Sequence, residues 1–114
     1  MYKDEVKSRI EAEFDLAEKS RSQGFEGRAR VCSRRAAGIA VRDYLERIQS
    51  ILPGTSLNVN QLFSRLINLP TASPEIRLIT SHLLARVNEE HELPPDIDIL
   101  AETRWLVNKL DNTL

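Results

Sequence analysis

The chain has two histidines, and each stands five positions after an arginine: Arg77-Leu78-Ile79-Thr80-Ser81-His82 and Arg86-Val87-Asn88-Glu89-Glu90-His91. An arginine can hold a phosphate through two parallel N–H bonds and stabilise negative charge developing on it. A histidine near its unperturbed pKa moves protons at neutral pH. Together the two types can cleave RNA through its 2′-hydroxyl without a metal. Arg77 with His82, or alternatively Arg86 with His91, is therefore the candidate catalytic pair. The plainer account places His82 on the solvent side of a helix and His91 near a helix end. It is favoured because arginine is abundant and spacing alone is a weak signal.

A second set is Arg28, Arg35 and Arg42, seven apart, which form one stripe along a helix. As a binding site the stripe would face phosphates, of a nucleotide or of RNA. As structure it would pair with acids such as Glu11, Glu18, Glu26 and Glu46 while the arginine stems cover the core. A net charge of −1 and the lack of interleaved aromatic residues favour pairing. Cys32 lies among small apolar residues, as a structural thiol would. Trp105 follows Arg104 and is a candidate interface anchor if exposed. Asp96 and Asp98 read as helix caps. No Gly-rich phosphate loop, metal-ligand cluster or nucleophile–base pair is present, so neither metal nor cofactor is expected.

These residues depend on a long central helix over residues 25–51. Ala29, Cys32, Ala36, Ile39, Ala40 and Tyr44 share one face, and Ala37, Val41, Leu45 and Ile48 extend it round a second side. Small residues allow close approach by neighbours on more than one side. Before it, residues 3–22 read as a helix with Val6, Ile10, Phe14 and Ala17 inward, Leu16 beside them and Asp4 as cap. Gln23-Gly24 stops that helix and turns the chain back antiparallel. Leu52-Pro53-Gly54 ends the central helix. Val59, Leu62, Phe63, Leu66 and Ile67 then fall at i, i+3, i+4, i+7 and i+8, with Ser56 or Asn58 as cap and Leu69-Pro70 as stop. Ser73-Pro74-Glu75 starts a helix running to about Asn88. Asp96 or Asp98 starts the last one, with Ile99, Leu100, Thr103, Leu106, Val107 and Leu110 inward. The expected fold is all-α: one compact antiparallel bundle of about five helices over residues 1–114.

Composition agrees. Hydrophobic residues make up 41% and aromatic ones only 5%, so the core must be aliphatic, which favours helices over a β-sandwich. The near-balance of 16 basic and 17 acidic residues argues against a globally basic nucleic-acid binder. A single cysteine forms no internal disulfide and suits a reducing cytoplasm. No apolar run approaches the ~18 residues of a membrane span, and the charged start lacks the apolar region of a signal peptide.

Residues 17–47, AEKSRSQGFEGRARVCSRRAAGIAVRDYLER, resemble the HEPN (higher eukaryotes and prokaryotes nucleotide-binding) domain family. The likeness lies in a first helix, a turn made of Gly24 and Phe25, and an Ala-rich second helix in which Ala29, Cys32, Ala36, Ala37 and Ala40 take the family's small positions. Beyond these residues it extends only to helix order. The resemblance implies a compact α-helical bundle, commonly dimeric. Many members of that family are metal-independent ribonucleases or toxins, some pair with a nucleotidyltransferase antitoxin, and others are inactive binding or scaffold domains. Its active members carry an arginine, four to six residues and a histidine, which Arg77 and His82 or Arg86 and His91 match. The family's polar residue after that arginine is here Leu78 or Val87.

The expectation is a non-catalytic interaction or scaffold module that forms a homodimer, with a protein partner such as a nucleotidyltransferase and RNA as a further candidate ligand. The alternative is a toxin-like endoribonuclease with one Arg/His pair per subunit at a dimer cleft.

Overall fold

The computed structural model describes residues 2–85 and 97–112, and its elements are five α-helices. They are α1 (Asp4–Ser22), α2 (Glu26–Arg47), α3 (Val59–Ile67), α4 (Pro74–Leu84) and α5 (Ile99–Asp111). All five contribute to one buried cluster, so the expected all-α bundle is the observed architecture. No helix among the described residues is long and apolar enough to cross a membrane.

The hairpin of α1 and α2 is the frame. Ile10, Phe14 and Ala17 recur at three- and four-residue steps on α1 and are buried. The cap of α1 is Lys3 with no side-chain bond, and Asp4 sits inside the first turn beside Glu5. The start is tied down elsewhere: the Tyr2 N–H donates to Asp111 Oδ1 at 2.7 Å and its hydroxyl donates to the Val107 carbonyl at 2.7 Å. Burial pushes the Tyr2 phenol well above its ordinary pKa. At the other end the Phe25 N–H donates to the Ser20 carbonyl and the Gly24 N–H to that of Arg21. This paired closure needs a left-handed residue, supplied by Gly24 at φ 83°. The short link leaves α2 no course but back along α1.

Helix α2 buries Ala29, Cys32, Ser33, Ala36, Ala37, Ala40, Val41, Tyr44 and Leu45 under neighbours on several sides. Ser33 is tolerated there because its hydroxyl donates to the Ala29 carbonyl at 2.8 Å. Gly38 permits a close approach: a Cβ at this position would lie 3.1 Å from Val59 Cγ2, at the start of α3. The helix stops at Arg47, four residues earlier than its apolar pattern extends. The Ser50 N–H closes onto the Leu45 carbonyl at 2.8 Å and the Gln49 N–H onto that of Glu46 at 3.0 Å, with Gln49 in the left-handed region at φ 62°. The chain turns before Pro53-Gly54 because this closure satisfies the carbonyls of the last turn.

The remaining caps follow their side chains. Asn58 and Gln61 form a reciprocal capping box at α3. Ser73 accepts from the Ile76 N–H, with Pro74 in the first turn of α4. Asp98 accepts from the Ala101 N–H at α5. Ser56 is not the cap used, and Asp96 lies outside the described residues. Helix α3 ends at Ile67, before Leu69-Pro70, and α4 is described to Leu84 with Ala85 as its cap. All six positions expected to face inward on α5 are buried.

Candidate functional site

Arg77 and His82 both lie on α4, but five residues on a helix turn a side chain by about 140°. The two therefore leave different sides of α4, and each has its own partner. Arg77 Nη2 donates to the Leu69 carbonyl at 3.1 Å, closing the α3–α4 link. His82 Nδ1 lies 2.6 Å from Glu102 Oε1, joining α4 to α5 in a partly buried contact. Glu102 follows His82 by 20 residues, a separation that carries no local pattern and hid it from sequence reading. Arg86 and His91 lie outside the described residues.

The stripe of Arg28, Arg35 and Arg42 divides. Arg42 Nη2 donates to the carbonyls of Thr55 (2.8 Å) and Leu57 (3.3 Å), and Nη1 meets Glu46 at 3.4 Å. It fastens the link between α2 and α3, and among the described residues Glu46 is the one of the four expected acids that pairs with the stripe. Glu18 pairs with Arg104 and Glu26 with Arg21. Arg28 stacks over the Phe25 ring at 5.2 Å. Arg35 is exposed, and among the described residues it has no hydrogen bond or ion pair.

Arg28 and Arg35 line a groove of about 590 Å³ between α1 and α2, together with Leu16, Lys19, Val31 and Cys32. Leu16 is 50% exposed and Val31 48% exposed, and Phe25, beneath Arg28, is 52% exposed. Aliphatic surface thus lies open between three cations. Cys32 is buried at its base, as expected of a structural thiol. Arg35 is shared with a second groove of about 440 Å³ nearer α3, which Arg9 and Arg42 line together with Glu13, Asp43 and Glu46. Burial raises the Asp43 carboxyl above its ordinary value, against the opposing pull of Arg47. The first groove carries cations alone; the second carries both signs.

The open apolar surface was not read from the sequence. Leu16, expected beside the inward residues of α1, is half exposed, and so is Val31, which lies outside the inward sets of α2. Trp105 is also exposed, at 40%. Among the described residues no group of three metal-ligating side chains converges. Comparison with family models, curated protein sequences and solved structures gives no match.

Proposed function

We propose that this chain is a non-catalytic, HEPN-like interaction module that works as a two-fold dimer and docks a partner on its α1–α2 face. The observation that carries the reading is the half-exposed set Leu16, Phe25 and Val31 beside a groove lined by Lys19, Arg28 and Arg35. Exposed apolar surface rimmed by charge is the mark of a binding face. The separate engagements of Arg77 with Leu69 and of His82 with Glu102 count against a ribonuclease centre on α4. Trp105 offers an anchor for self-association, since exposed Trp is over-represented among energetically dominant interface residues.

The test is light scattering on the purified chain, followed by incubation of the same sample with a mixed RNA pool and a chelator. The expected outcome is a dimer that leaves the RNA intact, with Trp105→Ala shifted toward monomer. RNA cleavage that disappears in His82→Ala or His91→Ala would replace this reading with the endoribonuclease. A monomer would remove the dimer.

A further inference from the structure

We infer that the groove lined by Leu16, Lys19, Arg28, Val31 and Arg35 receives an amphipathic helix of a partner protein, with carboxylates flanking its aliphatic face. The inference rests on the interaction-module reading and names the partner's chemistry. Four observations carry it. The groove lies between two helices, and a third helix fits such a furrow by laying its apolar ridge into it. Leu16 and Val31 are each about half exposed on its walls, so aliphatic surface remains to be buried. Lys19, Arg28 and Arg35 are its charged lining residues, with no carboxylate among them. Arg35 makes no ion pair among the described residues.

Charge and shape together choose the occupant. Arg28 to Arg35 spans two helical turns, about 10 Å. A partner helix would present aliphatic residues at i and i+3 or i+4 over Leu16 and Val31, with Asp or Glu beside them against the cations. A second copy docked with this end on the same end would oppose Lys19, Arg28 and Arg35 to themselves. An RNA strand would meet the cations but leave Leu16 and Val31 without apolar cover. Followed past Arg35, it would run its phosphates against Glu13, Asp43 and Glu46.

The experiment is a selection from a displayed library of amphipathic helices about 18 residues long, above the ~12–15 residues below which an isolated helix is marginal. The library is randomised on the charged flanks and at the aliphatic positions. Wild-type protein should enrich Asp and Glu flanks around Leu, Ile or Val at i and i+4. The selected peptides should lose at least about tenfold in affinity at raised salt, as charge-steered contacts do. Leu16→Glu with Val31→Glu should abolish binding. Both sites are half exposed, and circular dichroism checks that the helices persist. Arg28→Glu with Arg35→Glu, at exposed positions, should redirect the selection toward Lys and Arg flanks, a reversal that unfolding cannot mimic. No enrichment, enrichment of basic flanks by the wild type, or peptides indifferent to both double variants would overturn the inference. A 20-nucleotide RNA that binds the wild type and is lost in Arg28→Glu/Arg35→Glu would assign the groove to nucleic acid instead. A dimer that leaves RNA intact but selects no acid-flanked helix would sink this inference alone. Metal-independent cleavage would sink the interaction-module reading itself.

Discussion

Arginines sit in two different settings on α2, and the contrast separates what holds the bundle from what it leaves at the surface. Arg34 donates from Nε to the Leu83 carbonyl at 2.9 Å and from Nη2 to Asn60 Oδ1 at 3.0 Å, binding α2 to both α3 and α4. Arg42 holds the carbonyls of Thr55 and Leu57. Arg47 donates to the Leu110 carbonyl at 2.9 Å and lies over the rings of Tyr2 and Tyr44. Each uses the planar fork of a guanidinium to satisfy chain ends and links that no helix ladder reaches. Arg28 and Arg35 close no link. They stand at exposed positions and line the groove with Leu16 and Val31. One helix therefore carries internal staples and an exposed cationic edge built from the same residue type, and position in the fold decides which is which.

Arg34→Ala is the largest break that contrast predicts. It strands the partly buried Leu83 carbonyl and removes the stem packed between three helices. A loss of about 2–3 kcal/mol is expected, because an abandoned buried acceptor costs its full desolvation. Urea unfolding monitored by circular dichroism measures it, and a loss under about 0.5 kcal/mol, the range of ordinary surface changes, would show that Arg34 is no staple. Arg42→Ala comes next, at about 1–2 kcal/mol, since the Thr55 and Leu57 carbonyls can turn partly to water. In that variant hydrogen exchange should quicken over residues 52–59 before it does in the middle of α2.

The helices were legible because their signals are local. The i, i+3, i+4 pattern of α3, the Asn58 and Ser73 caps and the Gly24 turn each need only a few neighbouring residues. The end of α2 was misplaced because apolar periodicity continues to Ile51, while the closure through Gln49 uses a residue type that seldom takes positive φ. The site was legible in types but not in roles. Arg28, Arg35 and Arg42 do share a stripe, yet only the fold brings the Thr55 and Leu57 carbonyls to Arg42 and leaves Arg35 facing the groove. The His82–Glu102 contact joins two helices across 20 residues and left no trace in spacing.

A smaller effect sharpens the contrast at the surface. Arg21 bridges Glu26 at 2.6 Å and Asp98 at 3.0 Å, linking the end of α1 to the start of α5. The hydrogen bond from Arg21 holds the Asp98 carboxyl below its ordinary value of 3.8. A carboxylate with a depressed folded-state pKa stabilises the protein above its unfolded pKa and loses that contribution as pH falls through the folded value. Asp98→Asn keeps a capping side chain but removes the charge. It should cost about 0.5 kcal/mol at pH 7, as exposed pairs do. The gap from wild type should shrink as pH falls below 3.8, which paired thermal melts across pH would record. A gap that is constant with pH would mean that Arg21 and Asp98 do not interact in solution.

The smallest stability effect is expected where the proposed recognition is strongest. Arg28→Ala and Arg35→Ala should each change unfolding free energy by under about 0.5 kcal/mol, the range of surface substitutions that break no cap or buried bond. Arg28 gives up a half-exposed stacking contact with Phe25, and Arg35 gives up no bond made with another described residue. The same urea titration that registers Arg34→Ala should leave both variants close to wild type. A loss above about 1 kcal/mol for Arg35→Ala would place it with Arg34 and Arg42 as a staple. The groove would then lose a cation available to a partner, because a guanidinium committed to the fold cannot also meet an incoming carboxylate with its full fork.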